Sequence, residues 1–119
     1  MPYEIPSSHQ EHLGRPQYNA TQMRTGVRIV AVGFNPTAGY SNYFERLPID
    51  KFPPEYAFYS VKPDGPAADV VTPFQVMVEF LSFENVPSVT IHDADGRHDI
   101  PVDQANKLFG KDGPFPMFT

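Results

Sequence analysis

Two histidines and two aspartates could form a metal site in the second half of the chain. His92 and His98 flank the tetrapeptide 93–96, which contains Asp93 and Asp95. Imidazole and carboxylate groups are common ligands of transition metals. A metal bound by these four residues would make the protein a small metal-dependent enzyme or a ligand binder.

The register of the strands around this tetrapeptide decides whether the two histidines meet. A type I turn with Gly96 in the left-handed bulge position would place His92 and His98 on one face. The aliphatic residues of the two strands are Val89, Ile91, Ile100 and Val102. They share a face only when Ile91 lies opposite His98, and this register sends His92 to the other side. We expect this second register, because burial of each aliphatic side chain contributes about 1.5–3 kcal/mol.

Other patterns of catalytic residues are absent from the sequence. The chain has no cysteine, so it has neither a thiolate nucleophile nor a zinc–thiolate site. No serine lies in a Gly-x-Ser-x-Gly motif, and no glycine-rich phosphate-binding loop is present. These observations predict a non-enzymatic protein without a cofactor.

The distribution of charge and hydropathy argues against two classes of partner. The net charge is −5, and the basic residues are scattered singly instead of forming the basic stripe of a nucleic-acid-binding protein. No apolar run approaches the roughly 18 residues of a membrane-spanning helix. The first six residues lack the features of a secretory signal. We expect no nucleic-acid partner, no membrane insertion, and a cytoplasmic or virion location.

Alternating apolar and polar residues predict a β-rich globular domain over residues 27–110. Strands are expected at residues 27–34, 40–47 and 55–62 and in a hairpin at 88–102. The 14 prolines keep each element short, because proline removes a main-chain donor. We predict an all-β or β-rich fold, a small antiparallel β-sandwich or barrel. One short helix is expected at 104–109, with Asp103 as its N-cap.

Residues 74–83 fit either a strand or a helix. In a strand, one face carries Phe74, Val76, Val78 and Phe80. In a helix, Thr72 would be the N-cap, Pro73 the first helical residue, and Gln75 would close a capping box. The period of two and the content of valine and phenylalanine favour the strand.

The two terminal segments are rich in proline and carry apolar side chains. Residues 1–26 show no sustained apolar periodicity and are expected to form an extended arm, and residues 111–119 form an apolar tail. Segments spaced by proline favour extended docking, and aromatic residues are common interface anchors. The candidate partner-binding residues are Tyr3, Ile5, Tyr18, Phe115, Met117 and Phe118. This pattern predicts a structural subunit that binds protein partners or further copies of itself in a larger assembly, such as a virion or a multi-subunit complex.

One loop resembles a known family of inhibitors. Residues 35–40 match five of the six residues of the Asn-Pro-Thr-Thr-Gly-Tyr loop of chagasin-type inhibitors of papain-like cysteine peptidases. The loop consists of Asn35, Pro36, Thr37, Ala38, Gly39 and Tyr40. The resemblance implies an immunoglobulin-like β-sandwich whose loop enters the peptidase cleft, although the family's Arg-Pro-Trp loop has no counterpart here. The same residues are also an ordinary turn signal.

Overall fold

The described part of the chain is all-β. The computed structural model describes residues 13–104, which form seven strands and no helix. The strands are β1 (Leu13–Gln22), β2 (Gly26–Asn35), β3 (Ser41–Arg46), β4 (Glu55–Val61), β5 (Thr72–Leu81), β6 (Ser88–Asp93) and β7 (Gly96–Gln104). This range accordingly contains no helix of the length and hydropathy needed to span a membrane.

The strands form one sheet that nearly closes into a barrel. Their order in the sheet is β3-β4-β6-β7-β1-β2-β5. The pairs β1–β7 and β4–β6 are parallel, and the other pairs are antiparallel. The two edge strands, β3 and β5, approach each other without a hydrogen-bonded ladder, so the sheet stays open along one seam.

The strand interpretation of residues 74–83 is confirmed for β5, which pairs with β2 along all ten of its residues. Phe74, Val76, Val78 and Phe80 face the interior. The helix alternative is wrong because a helix would satisfy its main-chain groups internally and leave the β2 edge unpaired. The strands predicted at 27–34, 40–47 and 55–62 and the hairpin at 88–102 are also present as β2, β3, β4, β6 and β7.

The prediction of an arm over residues 1–26 is wrong for Leu13–Gln22, which forms β1 between β7 and β2. Its apolar pattern is weak because Pro16 lies in a register irregularity between Leu13 and Gln17, and a proline is tolerated at such a bulge. Beyond the irregularity, Ala20 is buried on the inner face. The strand is therefore defined by pairing on both of its edges more than by its own side chains.

Two sequence predictions concern the end of the chain. The predicted helix at 104–109 has Asp103 as its N-cap. This N-cap is wrong, because Asp103 and Gln104 belong to β7. The remainder of that helix and the tail at 111–119 lie outside the described residues.

Aromatic rings fill the interior beneath the open seam. The Phe58 ring contacts the rings of Tyr18, Phe44 and Phe74 at centroid distances of 5.9, 5.2 and 5.7 Å. Tyr56 stacks on Phe80 at 6.4 Å. These contacts join β4 to β5, so side chains connect the two halves of the sheet where main-chain bonds do not.

Candidate functional site

Three loops emerge at one end of the sheet. Strands β2, β4 and β6 run in the same direction, as their pairings with β1, β7 and one another require. The loops that follow them are residues 36–40, 62–71 and 94–95. The loop that resembles the chagasin-type inhibitors therefore shares this end with two others.

Asn35, the first residue of this candidate inhibitor loop, anchors the loop from within. It is 4% exposed and exchanges two hydrogen bonds of 3.0 Å with the side-chain amide of Asn42. Asn42 donates another, of 2.9 Å, to the hydroxyl of Ser60 on β4. Because Asn35 is buried, only residues 36–40 are placed to contact a partner.

The rest of the loop is braced by the neighbouring loop 62–71. The main-chain N–H of Ala38 donates to the carbonyl of Ala68 at 3.1 Å. Gly39 has a φ of +89°, and a Cβ built on it would lie 3.0 Å from Cβ of Pro63. The positive φ favours glycine at position 39, and a Cβ at this distance would press on Pro63. The loop is thus held in one conformation by contacts outside itself.

A hydrogen-bonded cluster surrounds Asp93 at the same end. Its carboxylate accepts from the Tyr18 hydroxyl and, at 2.9 Å, from the main-chain N–H of Asp95. Nε2 of His98 lies 2.8 Å from Oδ1 of Asp93, whose side chain is 3% exposed. Burial and the hydrogen bond to Asp93 raise the pKa of Tyr18 above its ordinary value, so its hydroxyl keeps the proton. The cluster ties β1 to the β6–β7 hairpin.

A second polar cluster lies on the outer face of the sheet, around Glu55. One carboxylate oxygen is 2.8 Å from Nζ of Lys51, and the other is 2.8 Å from Nε2 of His92. The hydrogen bonds from Lys51 and His92 lower the pKa of Glu55 below its ordinary value, against the opposing effect of burial. These bonds connect the β3–β4 loop, β4 and β6.

The metal hypothesis is corrected by the strand register. As expected from the aliphatic residues, Ile91 lies opposite His98, and this register puts His92 on the other face. His92 is bonded to Glu55, whereas His98 is bonded to Asp93. The set His92, Asp93, Asp95 and His98 therefore does not converge. Among residues 13–104 no group of three or more such side chains could hold a metal ion.

The candidate partner-binding residue Tyr18 lies inside the sheet. Its hydroxyl is bonded to Asp93 and its ring contacts Phe58, so it serves the core instead of a partner. The other candidates, which are Tyr3, Ile5, Phe115, Met117 and Phe118, lie outside the described residues.

The opposite end of the sheet carries a group of exposed apolar side chains that sequence reasoning missed. We call this group the apolar rim: Ile49, Phe52, Leu81 and Phe83, with exposed fractions of 44, 58, 68 and 77%. Ile49 and Phe52 belong to the β3–β4 loop, and Leu81 and Phe83 end β5 and begin the next loop. The Phe52 ring packs edge-on against Phe80 at 5.9 Å, which brings the two segments together.

A signal for the rim was present in the sequence. The outward positions of β5 include Gln75, Met77, Glu79 and Leu81, so the strand ends with an exposed apolar residue after the charged Glu79. Phe83 then stands beyond the strand, beside Glu84 and Asn85. An exposed apolar residue at the end of a strand, followed by an aromatic residue in a polar loop, is typical of a contiguous apolar surface patch.

Comparisons with known proteins provide no relative for this chain. No protein-family model, no curated protein and no solved structure matches it. The likeness to chagasin-type inhibitors therefore stays a prediction from the six residues of one loop. The contacts and exposed surfaces of the molecule itself are the basis for a functional proposal.

Proposed function

We propose that the protein is a non-enzymatic interaction subunit that binds partner chains of a larger assembly. Its binding surfaces are the apolar rim and the Pro-rich terminal segments. The observation that carries the proposal is the exposure of the rim, where Leu81 and Phe83 are 68 and 77% accessible. Covering apolar surface contributes about 25 cal/mol per Å², and aromatic anchors dominate many interfaces.

The two polar clusters are consistent with this proposal. The carboxylates of Asp93 and Glu55 each accept hydrogen bonds from side chains of neighbouring segments. These bonds hold β1 to the β6–β7 hairpin and the β3–β4 loop to β6. Each cluster thereby has a structural role that accounts for its residues without a bound substrate.

The rim is tested by comparing assembly sizes in extracts of cells that make the protein. In size-exclusion chromatography, the unaltered chain should elute with a larger complex. The double variant that carries Ile49→Ser and Phe83→Ser should elute near its own mass of 13.4 kDa. Phe34→Ser is the matched control, because Phe34 is 53% exposed at the other end of the sheet. Co-elution of the double variant with the complex would contradict a role for the rim.

The terminal segments are tested by deletion in the same experiment. A deletion at the amino end must stop at residue 12, because β1 begins at Leu13 in the middle of the sheet. We expect the shortened chain to keep its fold by circular dichroism and to lose part of the complex. An unchanged complex after deletion of residues 1–12 and 105–119 would remove the segments from the proposal.

A second candidate function is inhibition of papain-like cysteine peptidases. It is favoured by the bracing of residues 36–40 against the loop 62–71, since a loop fixed before binding loses little conformational entropy in a cleft. The test is an assay of papain with the purified protein and with Gly39→Ala. Gly65→Ala is the control, because Gly65 also has a positive φ but no neighbour within 4 Å. An absence of inhibition by the unaltered protein would eliminate this function.

A further inference from the structure

Strand β5 is a long edge strand that β3 approaches across the seam without forming a ladder. It bonds to β2 over ten residues, and no strand of residues 13–104 forms a ladder with its other edge. Edge strands of monomeric proteins usually carry charges, prolines or bulges. In β5 these devices are limited to Pro73 and to Glu79, whose carboxylate is paired with Arg28 at 2.7 Å.

The free edge of β5 presents the main-chain groups of alternate residues. The N–H of Ser82 donates to the carbonyl of Thr25, which makes these two a hydrogen-bonded pair of the β2–β5 ladder. Bonded and non-bonded pairs alternate along an antiparallel ladder. The residues whose groups point outward are therefore Pro73, Gln75, Met77, Glu79 and Leu81. Pro73 has no main-chain N–H, but at this position the N–H would point away from β2, so the ladder with β2 loses no hydrogen bond.

The sequence of β5 is chemically symmetric about Met77. From residue 73 to residue 81 it reads Pro-Phe-Gln-Val-Met-Val-Glu-Phe-Leu. Valine flanks the centre on both sides, followed outward by Gln75 and Glu79, then by two phenylalanines, and last by Pro73 and Leu81. When such a strand pairs with a second copy about a two-fold axis at Met77, each residue lies opposite one of similar polarity.

We propose that two copies of the chain associate through antiparallel pairing of their β5 strands, with the two-fold axis at Met77. This surface shares only Leu81 with the rim, and the rim variant changes Ile49 and Phe83, which lie outside β5, so the two proposals can fail separately. In this register Met77 lies opposite Met77 of the second copy, and Gln75 lies opposite Glu79. All of these residues have outward main-chain groups, so they form the bonded pairs of the new ladder.

The side chains favour this register over its neighbours. The Gln75 amide can donate to the carboxylate of Glu79 of the second copy, and Pro73 meets Leu81 in an apolar contact. Met77, which is 52% exposed in the single chain, becomes covered at the axis. An axis at Glu79 would instead place two carboxylates opposite each other, which is unfavourable across strands.

Cysteine cross-linking tests the position of the axis directly. The chain contains no cysteine, so a single introduced thiol reports only on its own position. In Met77→Cys the Cα atoms of residue 77 in the two copies would lie about 5.5 Å apart, which is within the range of a disulfide. In the control Leu81→Cys they would be roughly 26 Å apart, at eight residue rises. Mild oxidation should link Met77→Cys at least about tenfold faster than Leu81→Cys.

The pairing of Gln75 with Glu79 of the second copy is tested by charge. Gln75→Lys should tighten the dimer and Gln75→Glu should weaken it, each by about fivefold in Kd measured by sedimentation equilibrium. Gln75 is an exposed residue, so both variants should keep the thermal stability of the parent. Equal cross-linking of the two cysteine variants, the same Kd for both charge variants, or a monomer throughout the micromolar to millimolar range would overturn the proposal.

Discussion

At the scale of single residues, the buried carboxylate of Asp93 depends on Tyr18 for one of its hydrogen bonds. We expect Tyr18→Phe to lower the free energy of unfolding by about 1–3 kcal/mol, because Asp93 is left with an unsatisfied buried oxygen. Urea denaturation measures the change. Tyr43→Phe serves as control, since Tyr43 is 41% exposed on the outer face, and its effect should stay within about 0.5 kcal/mol. Equal effects of the two substitutions would contradict the structural role of the Asp93 cluster.

Glu55 should make the stability of the protein sensitive to acid. Its pKa in the folded chain is lowered from 4.5 by hydrogen bonds from Lys51 and His92. Since the unfolded chain has the ordinary pKa, this stabilisation is complete above pH 4.5 and is lost as the pH falls through the folded-state value. Unfolding measured between neutral pH and about pH 3 should show this loss, and Glu55→Gln should reduce it. Glu84→Gln, at an exposed glutamate, should leave the profile unchanged.

At the scale of elements, the candidate inhibitor loop depends on the backbone of Gly39. We expect Gly39→Ala to destabilise the chain by about 2 kcal/mol, because alanine disfavours a positive φ and its Cβ would press on Pro63. Gly65→Ala shares only the first of these effects and should cost about 1 kcal/mol. Thermal unfolding compares the two variants. A smaller effect at Gly39 than at Gly65 would argue against the bracing contact.

Elements with a strong period of two could be predicted from the sequence, and those defined by their neighbours could not. β5 and the β6–β7 hairpin alternate apolar and polar residues, and the hairpin register followed from burial of Ile91 and its aliphatic partners. β1 lacked this signal, because Pro16 interrupts it and its place depends on β2 and β7. A strand whose own residues lack this alternation is defined only by its pairing with distant segments, which a local pattern does not show.

The candidate surfaces were predictable only in part, for the same reason. The loop 35–40 could be located from its own residues, but its brace comes from Pro63 and Ala68 in another loop. The apolar rim joins Phe52 to the end of β5, a contact between segments distant in sequence. For the metal hypothesis, the sequence pattern placed His92 and His98 on opposite faces of the sheet. This was possible because the register depended only on two strands that are adjacent in sequence.

At the scale of the whole molecule, aromatic packing replaces the missing ladder between β3 and β5. Phe58 is 2% exposed and contacts three other rings, one of which, Phe74, is on β5. We expect Phe58→Ala to lower the free energy of unfolding by about 3–5 kcal/mol, through lost burial and the cavity left behind. Phe83→Ala, at 77% exposure, should change it by less than about 0.5 kcal/mol. Chemical denaturation distinguishes these outcomes, and a small effect at Phe58 would show that the seam does not depend on its ring.

The parallel pairing of β1 with β7 has a consequence for synthesis on the ribosome. β1 is the first described strand to be made, and β7, the last, is its neighbour and also the only link between β6 and β1 in the sheet order. In a nascent chain that ends before residue 96, no hydrogen-bonded ladder connects β3-β4-β6 to β1-β2-β5. We therefore expect the domain to reach its native state only after residue 104 has left the exit tunnel, so partial products present unpaired strand edges to chaperones and proteases.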